Sequence, residues 1–391
     1  MILAAGKAAG AMAEVAERHY VDQGGLPASR ISGLAVTRHG YARPTRLVRV
    51  IEAGHPVPDA AGLAATFETL ALADGAGLSD LVLVLISGGA SANWIAPALG
   101  LSFNEKQALT RALLASGASI SEINTVRKHL SRIKGGRLAE RAYPARLVAV
   151  GISDVPGDNP AVIGSGPTVP DPTTLADARA IVERYRVALP KAVGRALLDP
   201  TNETPKPGQS IFAGTSFALA TRPADVFRQV EDAVRNAGYE CLLLGTQIEG
   251  EAREVATEHA RLARDLKARG RRIVILSGGE LTVTVRGKGR GGPNQEYALA
   301  LAIALADAPG IAALAGDTDG TDGGGGRLDD PAGAFIDDST LQRARRLGLD
   351  PVAFLDDNNS TEFFAKLGDL LTPGPTFTNV NDFRAILVDS P

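Results

Sequence analysis

The sequence predicts an α/β protein built as two domains, and three observations carry that expectation. Short β-branched or leucine-rich runs alternate with longer alanine-rich stretches, as layered strands and helices require. At 391 residues the chain is too long for one ordinary core, and roughly 150 residues per domain implies two or three. The stretch Pro-Thr-Asn-Glu-Thr-Pro-Lys-Pro-Gly at 200–208 holds three prolines and no large apolar residue. It predicts a linker, with domains at 1–207 and 208–391.

The chain opens on Ile-Leu-Ala-Ala at 2–5, an apolar run that stops at Gly6 and reads as the end of a strand entering a glycine turn. Structure ahead of residue 1 is expected from that start. An alanine-rich helix is predicted at 8–20. Strands follow at 47–52, 81–86 and 147–152, separated by helices at 60–73, 105–116 and 121–134, with a further helix at 174–185. In the 121–134 helix Ile123, Val126, Leu130 and Ile133 recur at helical spacing, and Gly135-Gly136 supplies the stop. Beyond the linker, strands at 211–213, 240–244, 273–276, 281–286 and 311–315 alternate with helices at 224–237, 248–269, 294–306 and 339–347. The two halves share an echo. Strand 81–86 runs into Ser87-Gly88-Gly89 and strand 273–276 into Ser277-Gly278-Gly279. Later strands end in Ser153-Asp154 and Asp317-Thr318-Asp319. Two α/β domains facing each other across a cleft would explain it, and so would a chance similarity of strand–glycine turns.

Composition removes several function classes. Hydrophobic residues make 45% and charged residues 22%, ordinary globular usage. The 41 basic and 44 acidic residues give a net charge of −3, so neither nucleic acid nor an anionic membrane is an expected partner. The apolar runs at 81–86 and 297–306 are too short to span a bilayer, and the amino terminus lacks the order of a signal peptide. A single cysteine, Cys241, excludes a disulfide scaffold, and a cytoplasmic protein is expected. The 44 glycines against one Trp and six Tyr predict many tight loops where backbone approaches something closely.

In parallel sheets, ligands sit beyond the carboxyl ends of strands. Ser87-Gly88-Gly89-Ala90-Ser91 falls at such a point and offers unhindered N–H groups and two hydroxyls, suited to an anion, although a plain strand-to-helix turn has the same composition. Lys7 stands between a strand end and a helix and could reach a phosphate or carboxylate, although a lone lysine is more often a solvated surface group. Gly287-Lys288-Gly289-Arg290-Gly291-Gly292 has Gly-x-Gly-x-x-Gly spacing, but its two cations and the Thr-Val-Thr-Val pattern ahead of it favour a cationic anion-binding loop over a dinucleotide turn. Asn294, Gln295 and Glu296 then open a helix with ligand-capable side chains. The acidic loops at 153–160 and 317–322 could supply magnesium ligands, or simply cap helices. No Walker A string, no Gly-x-Ser-x-Gly elbow and no zinc-ligand spacing among the five histidines occurs. The basic run Arg127, Lys128, Arg132, Lys134, Arg137, Arg141 reads mostly as a solvated helix face, with one or two members free to meet a phosphate.

Taken in order, these strings resemble the class II glycerate kinase family, also named for its carboxyl-terminal MOFRL domain. The resemblance rests on Ala5-Gly6-Lys7-Ala8-Ala9, Ser87-Gly88-Gly89-Ala90-Ser91, Asn124 to Ser131 with Lys134-Gly135-Gly136, Ser153 to Asp158, and Gly164-Ser165-Gly166-Pro167-Thr168. It continues through Ser277-Gly278-Gly279-Glu280, Gly291 to Glu296, Asp319-Gly320-Thr321-Asp322-Gly323 and Gly374 to Val380. It implies a Rossmann-like amino-terminal domain, a MOFRL-type carboxyl-terminal domain and an active site in the cleft between them. The implied reaction is phosphorylation of D-glycerate by ATP with Mg²⁺, at the 2-hydroxyl. Three departures stand out: fewer residues before the first strand, Ala90 where Gly is frequent, and Pro293 where Arg is frequent. The last leaves Arg290 or Arg286 as the arginine for the moving phosphate.

Phosphoryl transfer needs charge neutralisation and positioning more than covalent help. The expected catalytic residues are therefore Lys7, Arg290, Asp154 and Glu296. Ser87, Gly88, Gly89, Ser91, Lys128, Gly164, Ser165 and Gly166 are expected at nucleotide phosphates. Lys7, Arg286, Asn294 and Gln295 are expected at the substrate, and Asp154, Asp317, Asp319 and Asp322 at the metal. The expected partners are glycerate and ATP, with a homodimer as the candidate assembly. Two competing readings are an NAD(P)H-dependent hydroxypyruvate reductase, a label some relatives carry, and a non-catalytic sensor of a small ligand.

Overall fold

The structure is a computed structural model, and it describes residues 1–306, 308–323 and 329–389. The chain divides into two compact α/β units, Met1–Ala220 and Thr221–Pro391. The proline-rich stretch at 200–208 packs within the first unit: Asn202 and Thr204 are buried, Glu203 meets His129 at 3.1 Å, and Thr204 donates to Asp171 at 3.1 Å. The division lies at 220/221, further along than composition suggested, because those polar side chains find partners in the first unit.

The first unit holds β1 (Ile2–Ala5), β2 (Gly33–Arg38), β3 (Val48–Ala53), β4 (Leu81–Ile86), β5 (Arg146–Ile152) and β6 (Thr215–Thr221), in the order β3-β2-β1-β4-β5-β6. Strands β1 to β5 pair in parallel. This is the doubly wound order, with its switch point between β1 and β4. Both faces are covered, which is why β1 and β4 read as unbroken apolar runs. Leu3, Ala5, Val84 and Ile86 pack on one side with Ala65, Leu70 and Leu138. Ile2, Ala4, Leu83 and Leu85 pack on the other with Ala9 and Ala13. A separate helical core joins Leu109, Ile123, Val126, Leu130, Ile181 and Leu197. Its helices begin at capping boxes, Ser102 with Glu105, Ser119 with Glu122 and Thr174 with Asp177. The predicted 121–134 helix runs as Ile120–His129 and stops there, so Lys134-Gly135-Gly136 forms a separate turn.

The second unit holds β7 (Glu240–Glu251), β8 (Ile273–Thr282), β9 (Ile311–Asp317), β10 (Gly333–Ile336), β11 (Leu370–Leu371) and β12 (Asp382–Val388), ordered β11-β10-β9-β12-β8-β7. Its β7–β8 pair is parallel and the other pairs are antiparallel. Helices Ala252–Ala268 and Pro293–Leu305 share a core with Ile275, Ile386 and Phe363. Three expectations change here. The 211–213 strand is a tight turn, Ser210–Phe212, and pairing starts at Thr215. The strands expected at 273–276 and 281–286 merge into one that ends at Thr282, leaving 283–286 outside it. Strand β7 continues to Glu251 beside it, shortening the helix expected from 248. Among the described residues no helix is long and apolar enough to cross a membrane.

Candidate active site

At the first unit's switch point the register Ala5↔Ile86 sets the β1 turn, Gly6-Lys7, beside the β4 turn, Ser87-Gly88-Gly89. The two turns touch so closely that a Cβ on Gly6 would lie 2.4 Å from Ser87 Oγ, so only glycine fits there. The Lys7 N–H donates to the Gly88 carbonyl at 2.7 Å, and the Ala8 N–H to Ser87 Oγ at 2.9 Å. Thr37 Oγ1, from the end of β2, donates to the Gly6 carbonyl at 3.1 Å. Ser87 is fully buried and its hydroxyl stitches the turns together. Lys7 and His55 flank Gly89, with Lys7 Cγ 3.3 Å and His55 Cδ2 3.0 Å from the place a Cβ would take. His55 went unnoticed in the sequence because it follows β3, which only the strand order brings near.

The 164–166 turn also arrives here. Ser91 Oγ and Ser165 Oγ are 2.6 Å apart, and a Cβ on Gly164 would lie 3.0 Å from Ile86 Cγ2. Behind both turns stands Lys134, whose Nζ donates to the Ser91 carbonyl at 2.8 Å. The expectation of a solvated face fails for Lys134, which is 1% exposed: the helix that would have presented it to water ends at His129. Lys128 is likewise buried, and its Nζ lies 3.4 Å from Asp171, an ion pair that ties down the 171–173 loop. Asp154 is half-buried at the carboxyl end of β5, next to β4.

The second unit uses its polar residues differently. Asp322 accepts the N–H groups of Asn294 and Gln295 at 3.0 and 2.8 Å, together with both their side-chain amides at 3.2 and 3.1 Å. It satisfies the first turn of the Pro293–Leu305 helix, a place where a carboxylate is favoured by the unpaired N–H groups. Burial pushes the Asp322 carboxyl up to about 7 against those hydrogen bonds, and the charge of Asp382 adds to the rise. Asn294 reaches Asp382 as well, at 2.6 Å. Asn294 and Gln295 are thus buried anchors. Glu296, 2% exposed, holds Arg253 at 2.6 Å and Asn358 at 2.9 Å, so both its oxygens serve the fold.

Arg286 and Arg290 stay exposed on the cationic glycine loop. Their backbone is carried on a shelf of three side chains: Asn358 accepts from the Arg286 N–H at 2.7 Å, Asp357 from Lys288 at 2.9 Å and Asn359 from Arg290 at 3.2 Å. Arg290 also lies 3.3 Å from Asp330. Asp317 accepts the Asp319 N–H, and Asp319 accepts from Thr321, the pattern of an acidic turn that holds itself. Among the described residues no group of three His, Cys, Asp or Glu is arranged to hold a metal ion.

Comparison with known proteins follows the same division. A family model described as a domain of unknown function, DUF4147, matches residues 1–198, and a model of the MOFRL family matches 273–382. A protein of Agrobacterium vitis, provisionally named hydroxypyruvate reductase, is 47% identical across 99% of this chain and 87% of its own. The D-glycerate 2-kinase of Thermotoga maritima is 40% identical, covering 98% of this chain and 89% of its own. A crystal structure of glycerate kinase from that organism aligns with a TM-score of 0.87 and 39% identity, over 100% of this chain and 91% of that one.

Proposed function

Because the chain belongs to the MOFRL-domain glycerate kinase family, we propose that it transfers the γ-phosphoryl group of ATP to D-glycerate. The acceptor is the 2-hydroxyl, so the products are 2-phosphoglycerate and ADP. The observation that supports this most is the adjacency of Gly6-Lys7 and Ser87-Gly88-Gly89 at the switch point of a parallel sheet. A cation beside a glycine turn at that place suits a phosphate, which needs unhindered N–H donors and neutralising charge.

The reaction forms a bond from the glycerate oxygen to phosphorus and breaks the bond from phosphorus to the β-phosphate oxygen. Its loose transition state spreads charge over the phosphoryl oxygens, so positioned cations and N–H groups lower the barrier more than a strong base does. In the first unit, Gly88, Gly89 and Gly164 offer N–H groups and Ser91 and Ser165 hydroxyls to the nucleotide phosphates, and Lys7 offers a point charge to the substrate carboxylate or the moving group. In the second unit, the exposed Arg290 and Arg286 on the glycine loop are the cations that unit offers to a phosphate. A loose transition state asks little of a base for the hydroxyl proton, and neither Glu296, held by Arg253 and Asn358, nor Asp319, 1% exposed and holding Thr321, is kept for that role.

The acidic residues fit a magnesium ion that comes with the nucleotide better than one caged by protein, since such ions need one or two carboxylates besides phosphate oxygens. Asp154 would hold it; Asp322, with both oxygens on helix N–H groups, is excluded as a ligand. Bound there, the ion would neutralise the phosphate oxygens.

The reductase reading is weaker on one specific feature. The β1 turn reads Gly6-Lys7-Ala8-Ala9-Gly10-Ala11, with Ala8 where the second glycine of a dinucleotide fingerprint lets backbone approach the pyrophosphate. Purified protein with glycerate, ATP and Mg²⁺ should release ADP only when glycerate is present. Oxidation of NADH or NADPH by hydroxypyruvate, without ADP formation, would replace this reading with the reductase.

A further inference from the structure

The short turn at 134–136 ties two segments of the candidate site together. Lys134 Nζ donates to the Ser91 carbonyl at 2.8 Å, the Gly135 N–H to the Ser165 carbonyl at 3.0 Å, and the Gly136 N–H to the Gly166 carbonyl at 2.7 Å. The Ser91–Ser165 hydroxyl contact, 2.6 Å, closes the ring. One residue stretch thus grips the 87–91 turn by a side chain and the 164–166 turn by its backbone.

A buried lysine is a costly way to fill space. Lys134 is 1% exposed, and among the described residues its Nζ meets a carbonyl and no carboxylate. Burial pushes its ammonium well below the usual lysine range, and the nearby charges of Arg127 and Lys106 push the same way. Lys106 is buried too, held by the carbonyls of Arg127 and Leu130. A methionine would occupy the same volume without the desolvation penalty. What the lysine adds is a long, directional donor that reaches one carbonyl in the turn after β4.

We propose that Lys134 is a positioning residue for the nucleotide: by holding the Ser91 carbonyl it fixes the 87–91 turn against the 164–166 turn, so that the Gly88, Gly89 and Gly164 N–H groups stay aimed at phosphate oxygens. This rests on the assignment of those turns to the phosphates of ATP. Lys134 touches neither substrate nor reacting atoms, and acts through the backbone of Ser91.

The test compares the full chain with Lys134→Met, which keeps the length and removes the donor. Amide hydrogen exchange should speed up about tenfold at 87–91 and 164–166, while β1 and β4 keep their protection. The KM for ATP should rise about tenfold, with the KM for glycerate unchanged within about twofold. Lys134→Gln, retaining a neutral donor, should give a smaller version of both shifts, and serves if the methionine variant does not fold. A variant that melts earlier while both KM values and the turn protection match wild type has lost only stability, and overturns the proposal. Unchanged turn exchange overturns it whatever the kinetics. If the wild type forms no ADP with glycerate, the kinase reading fails separately, and the exchange comparison still decides whether Lys134 holds the turns.

Discussion

The tripeptide Ser-Gly-Gly occurs once in each unit, and the two copies meet different neighbours. Ser87-Gly88-Gly89 follows the last residue of β4, where the Ser87 N–H makes a final bond to the Ala5 carbonyl at 3.0 Å and the chain turns at Gly88-Gly89. Ser277-Gly278-Gly279 lies inside β8, paired with β12 on one side and β7 on the other. There a Cβ on Gly278 would strike Phe227 at 2.5 Å, and one on Gly279 would meet Ile248 backbone at 2.2 Å, where the β7–β8 register shifts. Ser277 Oγ accepts from the buried Arg384 at 3.3 Å. The same three residues make a strand-end turn in one unit and a packing notch in the other. Strand order and direction decide which, so the echo between the halves carries no shared chemistry.

That contrast predicts effects of different kinds. Lys7→Ala should lower kcat/KM on the order of 10²- to 10³-fold and leave the thermal midpoint almost unchanged, the signature of lost transition-state charge stabilisation. Near-normal turnover would remove Lys7 from the site. Gly279→Ala should do the reverse. Its φ of +121° and the clash with Ile248 cost about 3 kcal/mol in a denaturant titration, with both KM values as in wild type. A loss of activity without a loss of stability would show that the second tripeptide also handles ligand.

The units should also respond oppositely to pH. Burial holds the Asp322 carboxyl at about 7 against 3.8 in an unfolded chain. The folded protein then keeps a proton that the unfolded chain has released, so stability from this group is full below about 3.8 and lost as pH rises toward 7. For Glu203 in the first unit, burial alone would raise the carboxyl, but hydrogen bonds from Lys206, the Leu175 N–H and His129 outweigh it and bring it down from 4.5 to about 2. Its contribution is present above 4.5 and lost as pH falls toward 2. Asp322→Asn should therefore flatten the decline between pH 4 and 7 by a difference on the order of 3 kcal/mol. Urea midpoints of the two proteins measured across that range check it, and parallel profiles would contradict the buried, protonatable Asp322.

The smallest effect is expected from Glu296→Gln. The glutamine oxygen keeps one of the contacts with Arg253 and Asn358 and its NH₂ faces the other donor, so stability should fall by about 2 kcal/mol while kcat stays within about threefold. A fall of about a hundredfold in kcat would return Glu296 to the chemistry.

Much of the first unit was legible in the sequence, and particular residues show why. Strands β1 and β4 are buried on both faces and read as continuous apolar runs, and their turns announce themselves by Gly6 and by Gly88-Gly89. Strand β12 escaped notice because Asp382 and Arg384 interrupt its apolar pattern, although both are buried and paired at 2.8 Å. Short β10 escaped for want of length. At the site, the misjudged residues share one cause: a charged or polar side chain was read by its local string, and its partner lies far along the chain. Lys134 finds Ser91, Glu296 finds Arg253, and Asp322 finds the start of a helix 28 residues before it. His55 became visible only through the strand order.

The most direct measurement is the phosphorus spectrum of the product formed from D-glycerate and ATP. Transfer to the 2-hydroxyl puts phosphorus beside a single C–H, so a new doublet should grow with the signals of ADP, and should be absent with Lys7→Ala over the same interval. A triplet, from phosphorus beside a CH₂ group, would move the transfer to the 3-hydroxyl. No new phosphorus signal, with NADH consumed on hydroxypyruvate instead, would contradict the account.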